Sequence, residues 1–337
     1  MKIKNIDTEK KVFIVAEIGN NHEGNFNLAK KMISKAAAAG VDAVKFQTFI
    51  PEQFVSQKDQ IRFNKLKSFQ LNQKQFIELS EFAKKMGLIF FSTPLDLKSA
   101  KFLGKIADAI KIASGDNNYL DIIDLCLGYN KQVIISLGLL NPHETSKTIK
   151  EIINLSRSKL ALKKISFLHC VSSYPVEYKD ANLKRILELK KQWPNLKFGY
   201  SDHTKGIEAC LAARVFGAEI IEKHFTLDKN FSSFRDHSLS ADPNDMERLV
   251  LGIKNIENMT SKYSKFLSKD EKANKKIMRR QPFARKDIKK GDVIDNSNVK
   301  FLRPKVSTKP VNLNLFLGKK IKRNITKNSL IKLKYVI

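Results

Sequence analysis

The chain is predicted to fold as a (β/α)8 barrel followed by a small β-rich module. Three observations predict it. First, eight short apolar runs lie within the first 225 residues: VFIVAEIG (12–19), AVKFQT (43–48), LIFFSTP (88–94), AIKIASG (109–115), QVIISLG (132–138), KISFLHC (164–170), KFGYSDH (197–203) and EIIEKHF (219–225). Buried parallel strands read as near-continuous hydrophobic runs of this kind. Second, helical patterns separate them. Third, the runs end in polar or charged residues, and strand ends carry the chemistry of such barrels. The ends supply Glu17, Lys45, Gln47, Thr93, Lys111, Ser114, Ser136, His169, Ser201, Asp202, His203, Glu222 and His224.

The connecting segments follow in order. FNLAKKMISKAAAAG (26–40) places Leu28, Met32, Ile33 and Ala36 on one stripe and stops at Gly40, a helix-ending residue. NQKQFIELSEFAKKMG (72–87) repeats the pattern with Phe76, Leu79, Phe82 and Ala83. SAKFLGKIA (99–107) is short, and NPHETSKTIKEIINLSRS (141–158) opens on an Asn cap with proline at the first helical position. ANLKRILELKKQWP (181–194), KGIEACLAARVFGA (205–218) and NDMERLVLGIKNIENM (244–259) complete the helices. Two connections are too long for linkers, 50–70 and 226–245; long loops at a catalytic face serve as lids or binding loops. The barrel is read as 1–260, a lysine-rich linker as 261–280, and the module as 281–337. In the module, short alternating strands are broken by KKGD and DNSN turns, and LFLGKKIKRNITKNSLIKL (315–333) resembles a second copy of that rhythm.

Composition narrows the function classes. No stretch approaches the roughly 20 apolar residues that span a bilayer, and the first residues lack the apolar centre of a signal peptide. Cys126, Cys170 and Cys210 form no CxxC pair, which fits a reduced, cytoplasmic setting. The formal net charge is +28. Lysines run along the whole chain beside many Asn and Ile, so the charge reads as compositional bias. The densest basic stretch, 272–290, contains one aromatic residue and no nucleic-acid module. Positive potential would still attract an anionic substrate. No Walker loop or GxGxxG occurs, so nucleotide binding is unsupported.

The sharpest local signal is the pair SDH (201–203) and EKH (222–224). Strand alternation puts Ser201 with His203 on one face and Glu222 with His224 on one face. Two imidazoles at adjacent strand tips could share a divalent metal and leave positions open for water and substrate; either alone could be a hydrogen-bonded core residue. Lys45 and Lys111, ringed by Thr93, Ser114, Ser136 and Ser201, suit a phosphate and a carboxylate together, although each lysine could instead snorkel to solvent. Glu17, followed by GNNHEG, could move a proton or polarise a water, or merely pair with a lysine. His22 and Glu23 either contact substrate or shape the turn. His169 is read as structural and Cys170 as a small core residue. Tyr174 stands to cover a ligand, and Asp236 and His237 offer hydrogen bonds to a polyhydroxylated one.

Taken together, AEIGNNHEG (16–24), VKFQT (44–48), STP (92–94), IKIASGD (110–116), HCVSSYP (169–175), YSDHT (200–204), IEKHFTLDK (221–229) and RDHSLSADP (235–243) resemble the sialic acid synthase family of nonulosonic acid synthases. KDIKKGDVI…LRP (286–304) resembles the antifreeze-like, or SAF, domain that ends those enzymes. The resemblance implies condensation of phosphoenolpyruvate with an open-chain N-acetylhexosamine, N-acetylmannosamine first, to give N-acetylneuraminate and phosphate. It implies that His203 and His224 hold Mn2+ or Mg2+, and that Lys45, Thr93, Lys111, Ser136 and Ser201, with Ser114 beside them, hold phosphoenolpyruvate. Glu17 would do acid–base work. Gln47, Tyr174, Asp202, Glu222 and Asp236 are assigned to the sugar. A domain-swapped homodimer is implied, with Arg303 reaching the partner's sugar pocket.

Three departures concern the sugar rather than the metal: Leu137 in SLG where many members have STG, Ser172 where sialic acid synthases often carry Asn, and FRDHSLS (234–240) in place of GPDH with a lysine. Legionaminate or pseudaminate synthesis from a 2,4-diacetamido-trideoxyhexose is therefore the alternative. A Schiff-base aldolase and a basic nucleic-acid-binding protein are more remote ones.

Overall fold

The computed structural model describes residues 2–3, 6–8, 11–156, 162–260, 266–305 and 311–337. Two units follow one another, Met1–Ser261 and Lys262–Ile337. The first is a closed parallel barrel. Its strands are β1 (Phe13–Gly19), β2 (Ala43–Thr48), β3 (Ile89–Pro94), β4 (Ala109–Ile112), β5 (Gln132–Ser136), β6 (Ile165–Cys170), β7 (Lys197–Asp202) and β8 (Ile220–His224). Each pairs with its chain neighbour, and β8 closes on β1 with His224 opposite Glu17. All eight expected strands are present.

Alternation sorts the strand residues into two environments. The barrel interior is filled by Phe13, Val15, Ala43, Ile89, Phe91, Ala109, Ile134, Leu168 and Ile220. The next inward positions towards the C-terminal ends are Glu17, Lys45, Thr93, Lys111, Ser136, Ser201 and Glu222, all buried. Apolar side chains thus form the floor beneath a polar layer.

The helices pack outside. Asn25 caps α1 (Phe26–Ala38), which buries Ala29, Met32, Ile33 and Ala36. Capping boxes start α4 (Gln73–Lys85, Asn72 with Gln75) and α7 (Pro142–Leu155, Asn141 with Glu144). Between α1 and α4, the long second connection folds into α2 (Pro51–Phe54) and α3 (Gln60–Phe69). After β3 comes α5 (Leu97–Ile106), started by Asp96 rather than Ser99. The helix after β4, α6 (Leu120–Leu127), was not foreseen either; it is short, and Tyr119 at its start makes no capping bond. The barrel ends with α8 (Lys184–Gln192), α9 (Glu208–Val215), the short α10 (Arg235–Leu239) and α11 (Pro243–Thr260). The expected end of the fifth-strand helix at 157–158 lies outside the described residues.

In the second unit, β9 (Gln281–Ala284) pairs antiparallel with β10 (Val299–Leu302) over a core of Ala284, Ile288, Ile294, Val299, Phe316, Ile321 and Ile331. The second copy of the strand rhythm is a 3-10 turn at Leu313–Leu315 and isolated bridges, such as Val293 with Lys320 and Ile288 with Ile325. Of the segment read as a linker, 261–265 lies outside the described residues, and Lys269–Met278 is a helix, α12, with a Ser268–Glu271 capping box. The charge is not spread evenly: residues 262–337 hold 23 of the 62 Lys and Arg but only 5 of the 34 Asp and Glu. Among the described residues, no helix is long and apolar enough to cross a membrane.

Candidate active site

The polar layer is a connected network. Lys45 Nζ lies 3.0 Å from Glu17 Oε1 and 3.5 Å from Glu222 Oε1, and donates to Thr93 Oγ1 at 3.3 Å. Lys111 Nζ lies 3.9 Å from the same Glu222 oxygen and donates to Ser136 Oγ at 2.6 Å. Ser201 Oγ donates to Glu222 Oε1 at 2.9 Å. Ser114 Oγ accepts from Gly138 N at 3.1 Å, and the Asn117 amide donates to the carbonyls of Ser136 and Gly138. Strand ends β1 to β5, β7 and β8 thus converge on one space.

Burial sets the electrostatics. It pushes the Glu17 carboxyl up to about 7, against the pull of Lys45. Burial also opposes the Lys45 ammonium, but the Glu17 and Glu222 carboxylates outweigh it and hold Lys45 above its ordinary value. Burial lowers Lys111, and Glu222 offsets this only in part. Glu222 sits below the ordinary carboxylate range; burial opposes this, and Lys111 and Lys45 overcome it. The carboxylate of Glu222 lies where two ammonium groups would welcome an anion.

The two histidines meet beside this layer, with ring centroids 5.3 Å apart and planes at 53°. His203 Nδ1 lies 2.8 Å from the Val171 carbonyl. A carbonyl only accepts, so Nδ1 carries the proton, and in the neutral ring Nε2 keeps its lone pair. Burial opposes the charged ring, but Cys170 and the Val171 carbonyl outweigh it and hold His203 above the ordinary imidazole value. Burial, with His203 next, drives His224 well below the ordinary imidazole value, so that ring is neutral. His224 Nδ1 is buried without a hydrogen-bond partner, 4.0 Å from Asp236 Oδ2, while Asp236 Oδ1 faces Arg235 Nε at 3.4 Å. A divalent cation suits this donor set. Among the described residues no cluster of three or more His, Cys, Asp or Glu has metal-site spacing, so further ligands would be water or substrate.

Above lies a chamber of about 790 Å³, lined by Gln47, Asp116, Tyr174, His224 and Asp236, among others. Its outer wall comes from the two long connections, with Phe54, Arg62, Lys65 and Phe69 from one and Phe234 and Arg235 from the other. Phe69 meets Phe234 edge-on at 5.3 Å, and Lys65 sits 4.8 Å from the Phe234 ring centre. Arg235 covers Tyr174 at 4.4 Å, and Tyr174 packs 4.2 Å from His203. Gln47 accepts from Asn20 at 2.8 Å.

Several sequence readings change. Asp202 does not reach the chamber. It lies on the opposite face of β7 from Ser201, where it accepts from Lys223 at 2.7 Å and from Tyr200 and Thr204. Glu222 belongs to the lysine layer rather than to the sugar side. His169, read as structural, keeps that reading: it points outward, to the Ala181 carbonyl. Cys170 is more than core filling, with Sγ 3.8 Å from His203 Nδ1. Leu137 packs in the outer core, so the SLG departure leaves Ser136 on Lys111. The Ser172 hydroxyl is buried and unpartnered. Arg303 follows β10 in the second unit, where it is exposed. Asn20, Asn117, Arg62, Lys65, Phe69 and Phe234 were not foreseen; the length and the aromatic and basic content of 50–70 were the signal for part of that wall.

Asp202 and Lys223 are both fully buried. Lys223→Met would leave an uncompensated buried carboxylate, and should cost about 3–5 kcal/mol. Urea unfolding will read this as a lower midpoint with an unchanged slope; a loss below about 1 kcal/mol would show that the pair does not brace β7 against β8.

The NeuB family model matches residues 32–265, and the SAF domain model matches 283–336. The chain belongs to the NeuB family. It is 37% identical to the N,N'-diacetyllegionaminic acid synthase of Campylobacter jejuni subsp. jejuni serotype O:2, over 96% of this chain and 99% of that one. It is 34% identical to the pseudaminic acid synthase of Campylobacter jejuni subsp. jejuni serotype O:23/36, over 96% of each. Among solved structures, it is similar to an N-acetylneuraminic acid (sialic acid) synthetase from Leptospira borgpetersenii serovar Hardjo-bovis in complex with citrate. That match has a TM-score of 0.73 and 33% identity, and covers 81% of this chain and 94% of that one. The chain is therefore an enzyme of the nonulosonic acid synthase family, a NeuB barrel with a C-terminal SAF domain, acting on small molecules.

Proposed function

We propose that this NeuB-family enzyme condenses phosphoenolpyruvate with the open-chain aldehyde of an N-acetylhexosamine and releases phosphate. The observation that carries the reading is the buried pair Lys45 and Lys111, each with a hydroxyl partner, beside the paired rings of His203 and His224, of which His224 lines the chamber. Lys45 and Lys111 bind the phosphate and carboxylate of phosphoenolpyruvate, and Thr93, Ser114, Ser136 and Ser201 supply the remaining hydrogen bonds. The enol carbon C3 forms a bond to the aldehyde carbon, whose oxygen takes up a proton. Water adds at C2, the C2–oxygen bond to phosphate breaks, and phosphate leaves. Glu17, raised to about 7, can hold or give a proton near neutrality. His203 and His224 would hold Mn2+ or Mg2+, which when bound supplies Lewis-acid polarisation of the aldehyde oxygen. Gln47, Tyr174 and Asp236 orient the sugar. A domain-swapped homodimer, with Arg303 serving the partner subunit, is part of the same reading by resemblance.

For the sugar, N-acetylmannosamine is the first reading. A 2,4-diacetamido-trideoxyhexose, leading to legionaminate or pseudaminate, is the second, and a specific observation favours it. The outer wall of Phe54, Leu66, Phe69, Leu95 and Phe234 suits a methyl and a second acetamido group better than a row of hydroxyls. Phosphate release from phosphoenolpyruvate with a panel of both sugar types and Mn2+ should show at least about a 10-fold preference in kcat/KM for one class, since one or two apolar groups in a hydrophobic wall contribute about 1–3 kcal/mol. No phosphate release with any of them overturns the condensation itself.

A further inference from the structure

The chamber wall depends on a segment that cannot hold itself. After β8, residues 226–240 cross the barrel mouth and fold into α10, only five residues long and started by Phe234 without a side-chain cap. So short a helix has no stability of its own in water, yet it carries Arg235 and Asp236 on the chamber.

The side chain that fixes it is His237, which is 1% exposed and does not line the chamber. Its Nε2 lies 3.2 Å from Glu23 Oε1, and its Nδ1 lies 2.7 Å from Thr226 Oγ1. The ring packs 5.2 Å from Phe231 and 6.1 Å from Phe234. Glu23, in the loop after β1, also accepts from Ser232. Asn21, in that loop, donates to Ser240 Oγ at 3.0 Å, and Ser240 donates to the Asp236 carbonyl at 2.5 Å. The loop is itself pinned: Gly24, at φ +79, lies so near α3 that a Cβ would sit 2.1 Å from the Ser68 carbonyl. One rigid loop therefore grips the crossing segment at three points.

We propose that Glu23, His237 and Thr226 form a latch that fixes residues 231–239 over the chamber, and that they act as positioning residues for Phe234, Arg235 and Asp236 at the aldehyde-binding end. They touch no substrate themselves. The part about the aldehyde rests on the proposed condensation; the latch does not.

The test uses the full-length protein. His237→Phe keeps the ring between Phe231 and Phe234 but removes both hydrogen bonds; Thr226→Val removes the one to His237 together with the hydroxyl's bonds to the Asp228 backbone, and Thr226→Ser restores the hydroxyl. Hydrogen exchange read by mass spectrometry should quicken at least about 10-fold in peptides spanning 229–242 for His237→Phe and Thr226→Val, with the barrel strands unchanged and Thr226→Ser close to the parent. The KM of the aldehyde should rise at least about 10-fold in His237→Phe, with kcat and the KM of phosphoenolpyruvate within about 3-fold. Unchanged exchange at 229–242 in both His237→Phe and Thr226→Val overturns the latch. Faster exchange with equal rises in both KM values overturns its positioning role. Should the parent enzyme release no phosphate with any sugar, the condensation reading fails, and the exchange data still decide the latch.

Discussion

Replacing His224 with alanine should lower kcat/KM for the condensation by about 10³-fold or more while the barrel stays folded. The ring is neutral, buried and unpartnered at Nδ1, so its removal breaks no hydrogen bond from that atom. What goes is the imidazole that lines the chamber, its ring centre 5.3 Å from that of His203. Lewis-acid polarisation of a carbonyl contributes several kcal/mol, and each 1.36 kcal/mol is a factor of ten in rate. The melting temperature should fall by no more than a few degrees. Turnover across a Mn2+ titration, with Mn2+ binding read by electron paramagnetic resonance, checks this. Undiminished activity, or unaltered Mn2+ affinity in the variant, would sink the metal assignment and leave the two rings as packing.

Lys45→Met should harm both stability and phosphoenolpyruvate binding, and for separable reasons. Lys45 is the cation between Glu17 and Glu222. Without it two buried carboxylates face each other, a situation that costs about 3–5 kcal/mol when one partner of a buried pair is removed. The Glu17 carboxyl, already at about 7, would rise further, because the lost cation was what opposed burial. The sign of the pH dependence follows from linkage. A carboxyl raised in the fold binds its proton more tightly there than in the unfolded chain, so the contribution of Glu17 to stability is present at low pH and is lost as pH climbs from about 4.5 to about 7. Adding Glu17→Gln to Lys45→Met should therefore recover part of the stability near neutral pH. It should not restore substrate binding: a lost charge-assisted bond of about 1.5–3 kcal/mol raises the KM of phosphoenolpyruvate about 10- to 100-fold in both variants. Recovery of both together would show that Lys45 is structural only.

Much of the site was legible because strand alternation is a strict rule. Once β1, β2, β4 and β8 are recognised, Glu17, Lys45, Lys111, Glu222 and His224 fall on the inward face by period alone. The same rule excludes Asp202, one residue from Ser201, and His169, one residue from Cys170; the sequence reading passed over that parity for Asp202. The helix α6 escaped because it begins without a capping residue, whereas α12 carries a Ser268–Glu271 capping box that can be read in the chain. The uneven charge was equally readable, since it needs only a count on either side of residue 262.

By itself the sequence determined the eight strands, the polar tips that converge at their ends, the SAF module and the family. Each is a local matter of hydrophobic period or a short string, and neighbouring residues suffice to read it. Only the tertiary structure decided that Glu222 sits between two ammonium groups, that Cys170 touches His203, and that Glu23 grips His237 across 214 positions of chain. Closure of the barrel brings the first and last strands side by side. Contacts across that seam, and between neighbouring strands such as β6 and β7, join residues far apart in the chain, so no local pattern records them.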